Sequence, residues 1–293
     1  MSSEGQALTA GEYIKHHLAH LQFDFGFNAV KQKNIVDFSL FNLDSVFWTV
    51  LLGSIACFVL YRLASKATAG VPGRFQAFVE MLFEMVDNQA KALIHNEKSR
   101  KLVAPMAFVV FIWIFLMNFM DMLPVDLIPG LWHMAGPAMG FKDYMRVVPS
   151  ADLSTTLALS ITVLLFCIYY NIKIKGLGGW AHELVAAPFG DKWFLYPINF
   201  LMQIIEFLAK TVSHGMRLFG NMFAGELVFM LIAVMGGAWA FSLNPATAGF
   251  WLAIGHLIAG TIWTLFHILV IVLQAYIFMM LTLIYIGQAH DAH

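Results

Sequence analysis

Apolar residues fall in five long blocks separated by short polar segments. Three blocks, near 46–63, 102–123 and 153–172, have the length of one membrane crossing, about 20 residues. The first contains a short apolar run, Val46–Tyr61, which the flanking Phe38–Leu43 can lengthen. The last two blocks, near 195–236 and 249–287, are much longer. As continuous helices each extends on the order of 60 Å at 1.5 Å per residue. The hydrocarbon core is only about 30 Å thick, so both must tilt strongly, kink or run partly along the membrane. Gly236-Gly237 and Asn244-Pro245 separate them and predict a helical hairpin. Residues 75–96 differ in pattern: Phe, Met and Leu alternate with Glu80, Glu84, Asp87 and Lys91 at helical spacing. That predicts an amphipathic helix lying on the membrane surface. Gly176–Trp193, with Gly178-Gly179 and Pro188-Phe189-Gly190, reads as a loop. The pattern predicts an all-α polytopic membrane protein, with a leader over 1–45 and a single membrane domain over 46–293.

Composition supports this. Of the 293 residues, 60% are hydrophobic and 12% charged, against roughly 25% charged in a soluble domain. Mean hydropathy is +0.73. Seventeen Lys and Arg against 18 Asp and Glu leave a net charge of −1, so a nucleic-acid partner is not expected. Cys57 and Cys167 sit in apolar runs and read as small buried residues, without a disulfide framework or metal site. The leader has no apolar run bounded by a small-residue cleavage site, so the first span is expected to direct its own insertion. His16, His17 and His20 in the leader are expected on a solvated or interfacial face, since their spacing does not suit a metal. Arg62, Lys66 and Arg74, then Lys98, Arg100 and Lys101, then Lys173 and Lys175 mark cytoplasmic ends. The N-terminus is therefore expected outside and the C-terminus in the cytoplasm.

The charges that remain inside the apolar blocks carry the functional information. At about 100° per residue, Asn199, Gln203, Glu206, Lys210, His214 and Asn221 all fall within about 60° of Arg217. They form one polar stripe on an otherwise apolar helix. Glu226 falls near the opposite face and is expected to address another partner. On the last block, His256, His267, Gln274 and Tyr285 share a face. Glu206 and Lys210 stand four apart, a favourable pairing distance. Asp121 and Asp126 can mark the membrane–water boundary, and His256 can be a packing residue. Arg217 has no acid four residues away and lies too far inside its segment for easy snorkelling. An intramembrane guanidinium costs roughly 2.5–3.5 kcal/mol on insertion scales and cannot shed its proton. That points to a partner carboxylate on another chain. Glu, His, Gln and Asn suit the complementary task of passing or orienting protons along a wet path.

Met216-Arg217-Leu-Phe-Gly-Asn221-Met-Phe-Ala-Gly-Glu226 closely resembles the signature of subunit a of F-type ATP synthases. Asn118-Phe-Met-Asp121-Met-Leu-Pro, Arg146-Val-Val-Pro-Ser-Ala-Asp152 and Phe266-His267-Ile-Leu…Leu273-Gln274-Ala are similar to the bacterial form. The resemblance runs from about Arg62 to the C-terminus. It implies a multi-pass stator subunit of the bacterial inner membrane, with no activity of its own and no cofactor. Its implied partners are the c-subunit ring, the b subunits of the peripheral stalk and the rest of the ATP synthase, within membrane lipid. It implies that Arg217 faces the ring's ion-binding carboxylate. The family's outer half-channel maps onto Asn221, Glu226, His267 and Gln274, with Asp121 near its mouth. Its inner half-channel maps onto the stripe N-terminal to Arg217, making Gln203, Glu206, Lys210 and His214 candidates. There are departures: Thr211 stands where many relatives have proline, His214 where a small or aliphatic residue is common, and Gln203 where many have glutamate. Glu206, one turn on, can take over that carboxylate role.

Two other classes compete. A self-contained cation-coupled secondary transporter would place a substrate site at the stripe, but neither paired repeats nor broken helices are visible. A structural scaffold leaves the stripe unexplained.

Overall fold

A computed structural model describes residues 20–24, 39–67, 70–123, 145–186, 193–237 and 248–290, with isolated positions 11, 14, 18, 127, 128, 132 and 189. Six helices dominate: α1 (Leu43–Ser65), α2 (Arg74–Leu93), α3 (Glu97–Phe119), α4 (Leu153–Ala186), α5 (Tyr196–Gly237) and α6 (Ala248–Gln288). All but α2 are long and apolar enough to cross a membrane, which makes five candidate spans. α2 is the amphipathic element, with Val86 and Ala90 buried and Phe75, Phe78 and Met81 exposed. The protein is thus an all-α polytopic membrane protein. The leader adds one element that the hydrophobic pattern does not announce, a short antiparallel pair of β1 (Gln22–Asp24) and β2 (Leu40–Asn42).

Local chemistry accounts for the helix limits. α5 starts with Pro197 in its first turn, where a missing N–H is harmless. Asn199 is buried and its amide donates to the carbonyls of Val185 and Ala186 at 2.8 and 3.1 Å. It also accepts from the Phe189 N–H. This residue of the polar stripe therefore ties the start of α5 to the end of α4. The expected loop after Gly176 is corrected for its described residues: α4 comprises two helical segments that meet at a kink at Gly176, whose φ of 71° suits a residue without Cβ, and the second runs to Ala186. Lys175 spans the bend to both carboxylate oxygens of Glu183 at 2.8 and 2.9 Å. The non-helical backbone at Gly176 ends one helical segment and a second begins directly after it, which composition alone does not reveal. Cys167 is buried as expected, but Cys57 is exposed on α1, since an apolar helix in lipid need not bury its small residues. The Asn244-Pro245 break and Asp126 lie outside the described residues.

The chain divides into two compact units, each assembled from three separate stretches. The first comprises residues 1–52, 116–152 and 220–272; the second comprises 53–115, 153–219 and 273–293. In the first, Leu21, Phe23, Met117, Met222, Met230 and Ile271 are buried. In the second, Val86, Ile94, Ile114, Tyr170, Leu218, Met279 and Leu283 fill the interior. Large apolar side chains elsewhere stay uncovered, among them Leu201, Leu208, Val212 and Met216 on α5 and Leu257, Ile262, Leu265 and Leu269 on α6. Such faces suit lipid or another apolar subunit.

Candidate functional site: one buried polar cluster, one partly exposed, and an exposed arginine

The first unit contains a polar cluster inside an apolar surround. α3 ends in a tight turn, Met120–Met122, that turns Asp121 inward. Opposite it, His267 of α6 places Nε2 2.7 Å from Asp121 Oδ2, and both side chains are buried. The imidazole leans on aromatic walls, with Phe229 edge-on at 5.2 Å and Trp263 stacked at 6.3 Å. Space for it comes from Gly225 of α5: a Cβ there would stand 2.7 Å from His267 Nδ1. Gly225 precedes Glu226, so one residue clears room for the imidazole while the next supplies a carboxylate.

Glu226 is buried and addresses Arg146, as its place off the stripe suggested. Arg146 Nε donates to Glu226 Oε1 at 3.3 Å and a second guanidinium nitrogen donates to Oε2, a fork-on-carboxylate pair. The guanidinium also lies 5.8 Å over the Phe223 ring. Arg146 acts electrostatically on Asp121 as well, and Asp121 and Glu226 feel each other's charge. The cluster therefore joins two carboxylates through a fixed cation and an imidazole that can change charge. Of the five outer-path candidates, the structure brings together Asp121, Glu226 and His267. Asn221 lies exposed on α5, and Gln274 is buried within the second unit.

Arg146 belongs to the cluster although its sequence motif does not mark it as a site residue, because the segment has no helical face to assign. The leader histidines are expected on a solvated or interfacial face; His20 is half-buried, 2.8 Å from an Arg146 guanidinium nitrogen and 3.5 Å from buried Asp44. Both partners are distant in sequence. His16 and His17 lie outside the described residues.

The second unit holds the inner-path candidates. Lys210 Nζ is 2.6 Å from Glu206 Oε1 and 2.9 Å from Gln288 Oε1, and it lies 5.7 Å over the Tyr285 ring. His214, one turn on, is buried against Phe278 at 3.9 Å between ring centres, with Tyr285 at 5.7 Å. Its Nε2 has no hydrogen-bond partner among the described residues. It borders a cavity of about 20 Å³ shared with Lys210, Thr211, Tyr285 and Gln288, room for about one water. Gln203 is half-buried on the same helix. Arg217 is exposed on α5, with no hydrogen bond or ion pair among the described residues, though its charge reaches His214.

Residues 46–287 match the family model of the ATP synthase A chain. Over the full length of both chains, the sequence is 63% identical to ATP synthase subunit a of Paracidovorax citrulli (strain AAC00-1). The figure is again 63% for that of Acidovorax sp. (strain JS42), with both chains fully covered. It is 45% for that of Shewanella piezotolerans (strain WP3 / JCM 13877), also over both full chains. With helices, motifs and full-length relatives in agreement, the chain belongs to the ATP synthase A chain family.

Proposed function

We propose that this chain is the proton-conducting stator subunit of an F-type ATP synthase. In this reading it provides two offset half-channels and an arginine that couple proton flow to rotation of the c-ring. The observation that carries the proposal is Arg217, a permanent cation exposed on an apolar helix with no counter-charge among the described residues. Its natural complement is a carboxylate on another chain. The uncovered apolar faces of α5 and α6 support a ring partner against these helices, and the amphipathic α2 supports a peripheral-stalk contact near the membrane surface.

A carboxylate carried through lipid is favoured only when protonated, because burying its charge is costly. Beside Arg217 the ionised form is favoured. The proton then leaves through one half-channel, and the site reloads through the other. A fixed cation between the two repels protons that would leak straight across, so net flow requires rotation. The outer path runs by Asp121, His267 and Glu226, and Asn221 and Gln274 are its further candidates. The inner path runs by Gln203, Glu206, Lys210 and His214. Residues 46–293 act as one membrane domain of the bacterial inner membrane, with the N-terminus periplasmic and the C-terminus cytoplasmic. ATP chemistry resides in other subunits.

Arg217→Ala tests the proposal in inverted membrane vesicles carrying the assembled complex. ATP-driven acidification is expected to vanish. Coupled pumping at the parental rate refutes the stator reading.

A further inference from the structure

We infer that His20 is a positioning residue of the outer proton path. It acts by holding the Arg146 guanidinium on Glu226, so the leader is part of the path's machinery. This rests on the outer-path reading above. The imidazole lies between a cation and a carboxylate. Arg146 presents an N–H to Nε2 at 2.8 Å, and a guanidinium can only donate. Nε2 must therefore accept, which requires it to be unprotonated. Nδ1 faces Asp44 Oδ2 at 3.5 Å, an acceptor, so the proton belongs on Nδ1. The neutral Nδ1–H tautomer meets the demand of the 2.8 Å contact with Arg146 and turns Nδ1 toward the Asp44 carboxylate without a hydrogen bond between them.

Asp44 makes this arrangement rigid. It is buried, and its Oδ2 also accepts the backbone N–H of Leu21, next to His20, at 3.1 Å and that of Arg146 at 3.2 Å. One carboxylate thus pins the chain beside the histidine and the backbone of the arginine it must orient. β1 and β2 bring the leader there: Leu43 N–H bonds to Leu21 O at 3.0 Å, and Gln22 pairs with Asn42. Asn42 in turn donates to Asp152 at 3.0 Å, at the far end of the Arg146 segment. The charged groups around the imidazole are Arg146 and Asp44 in contact, with Glu226 beyond.

Fixing the guanidinium matters because a forked pair with a buried carboxylate tolerates little rotation. Without the imidazole, one guanidinium nitrogen loses its acceptor and the fork is free to swing off Glu226. The inference separates positioning from proton carriage. A glutamine amide can accept from Arg146 with its oxygen and donate to Asp44 with its nitrogen, yet it cannot titrate. The test uses assembled complex in inverted vesicles, with passive proton conductance read after removal of the soluble ATPase sector and normalised to chain content. His20→Ala is expected to lower conductance about tenfold, the scale of one lost hydrogen bond to a charged group. His20→Gln is expected to stay within about twofold of the parent between pH 6 and 8.5. Parental conductance in His20→Ala overturns the inference, and so does a loss in His20→Gln equal to that in His20→Ala. If the Ala chain fails to insert, His20→Lys replaces it: a donor-only like charge at Arg146 must lose conductance that Gln retains, and equal values overturn the inference. Glu226→Gln is run in parallel. Its failure to reduce conductance removes the outer-path reading itself, whereas a loss in Glu226→Gln with none in His20→Ala removes only the role of His20.

Discussion

Gly225 gives the sharpest quantitative test of the outer cluster. A methyl group at this position would stand 2.7 Å from His267 Nδ1 and 3.2 Å from Nε2, and nearer still to Cε1, where ordinary contacts begin at 3.4 Å. The nearest ring atoms must therefore retreat by on the order of 1 Å. Phe229 and Trp263 flank the ring, and Asp121 faces its Nε2. The 2.7 Å approach to Asp121 is an ion-pair contact between two buried atoms. A displacement of about 1 Å in any direction compresses, stretches or misaligns it. In Gly225→Ala the buried Asp121 carboxylate then loses its imidazole partner, a penalty of about 1–3 kcal/mol.

For proton transfer the consequence is larger, since a reacting group misplaced by about 1 Å can lose on the order of 100-fold in rate. Passive proton conductance and ATP-driven acidification in inverted vesicles are expected to fall by one to two orders of magnitude in Gly225→Ala. Chain content by immunoblot separates this from failed insertion. Gly178→Ala controls for helix propensity, because a Cβ there meets nothing within 4 Å. Conductance in Gly225→Ala within twofold of the parent would show that the His267–Asp121 contact does not limit proton passage.

Two further predictions concern groups on the same paths. Arg146→Lys keeps the charge but not the forked pair with Glu226, so the detergent-solubilised complex is expected to lose about 1–3 kcal/mol of stability in thermal unfolding, with a parallel fall in conductance; unchanged unfolding refutes the bidentate role. His214→Phe removes a buried nitrogen with no hydrogen-bond partner among the described residues, so stability is expected to hold or rise by up to about 1 kcal/mol while ATP-driven acidification falls; acidification at the parental rate removes His214 from the inner path.

Hydrophobic periodicity carries the helices because lipid makes apolar length the dominant requirement. α5 and α6 stand out by length alone, and α2 by its two faces. The same argument locates Arg217, Lys210 and Glu206, since each breaks an apolar run. It also explains what remained hidden. Gly176 bends a helix by its φ, a property of conformation that the residue type permits without requiring. Cys57 is exposed because in lipid the outward face is as apolar as the inward one, so residue type no longer reports burial.

Long-range polar contacts are illegible for a different reason. His20, Asp44 and Arg146 sit in segments without a strong period, and their partners lie up to 126 positions away. A single polar residue in a loop carries no sign of which distant charge it meets. The stripe on α5 shows the same limit within a helix. Spacing groups Asn199 with Arg217, yet Asn199 satisfies the carbonyls at the end of α4, while Arg217 has no ion pair among the described residues. A shared face establishes a common direction, and what lies in that direction changes along a helix of 42 residues. For this chain, a polar residue therefore becomes a candidate for the proposed proton path when burial deprives it of water and its nearest partners can also exchange or orient charge. Asp121, His267, Glu226 and Arg146 meet that condition together, and Asn199, satisfied by backbone, does not.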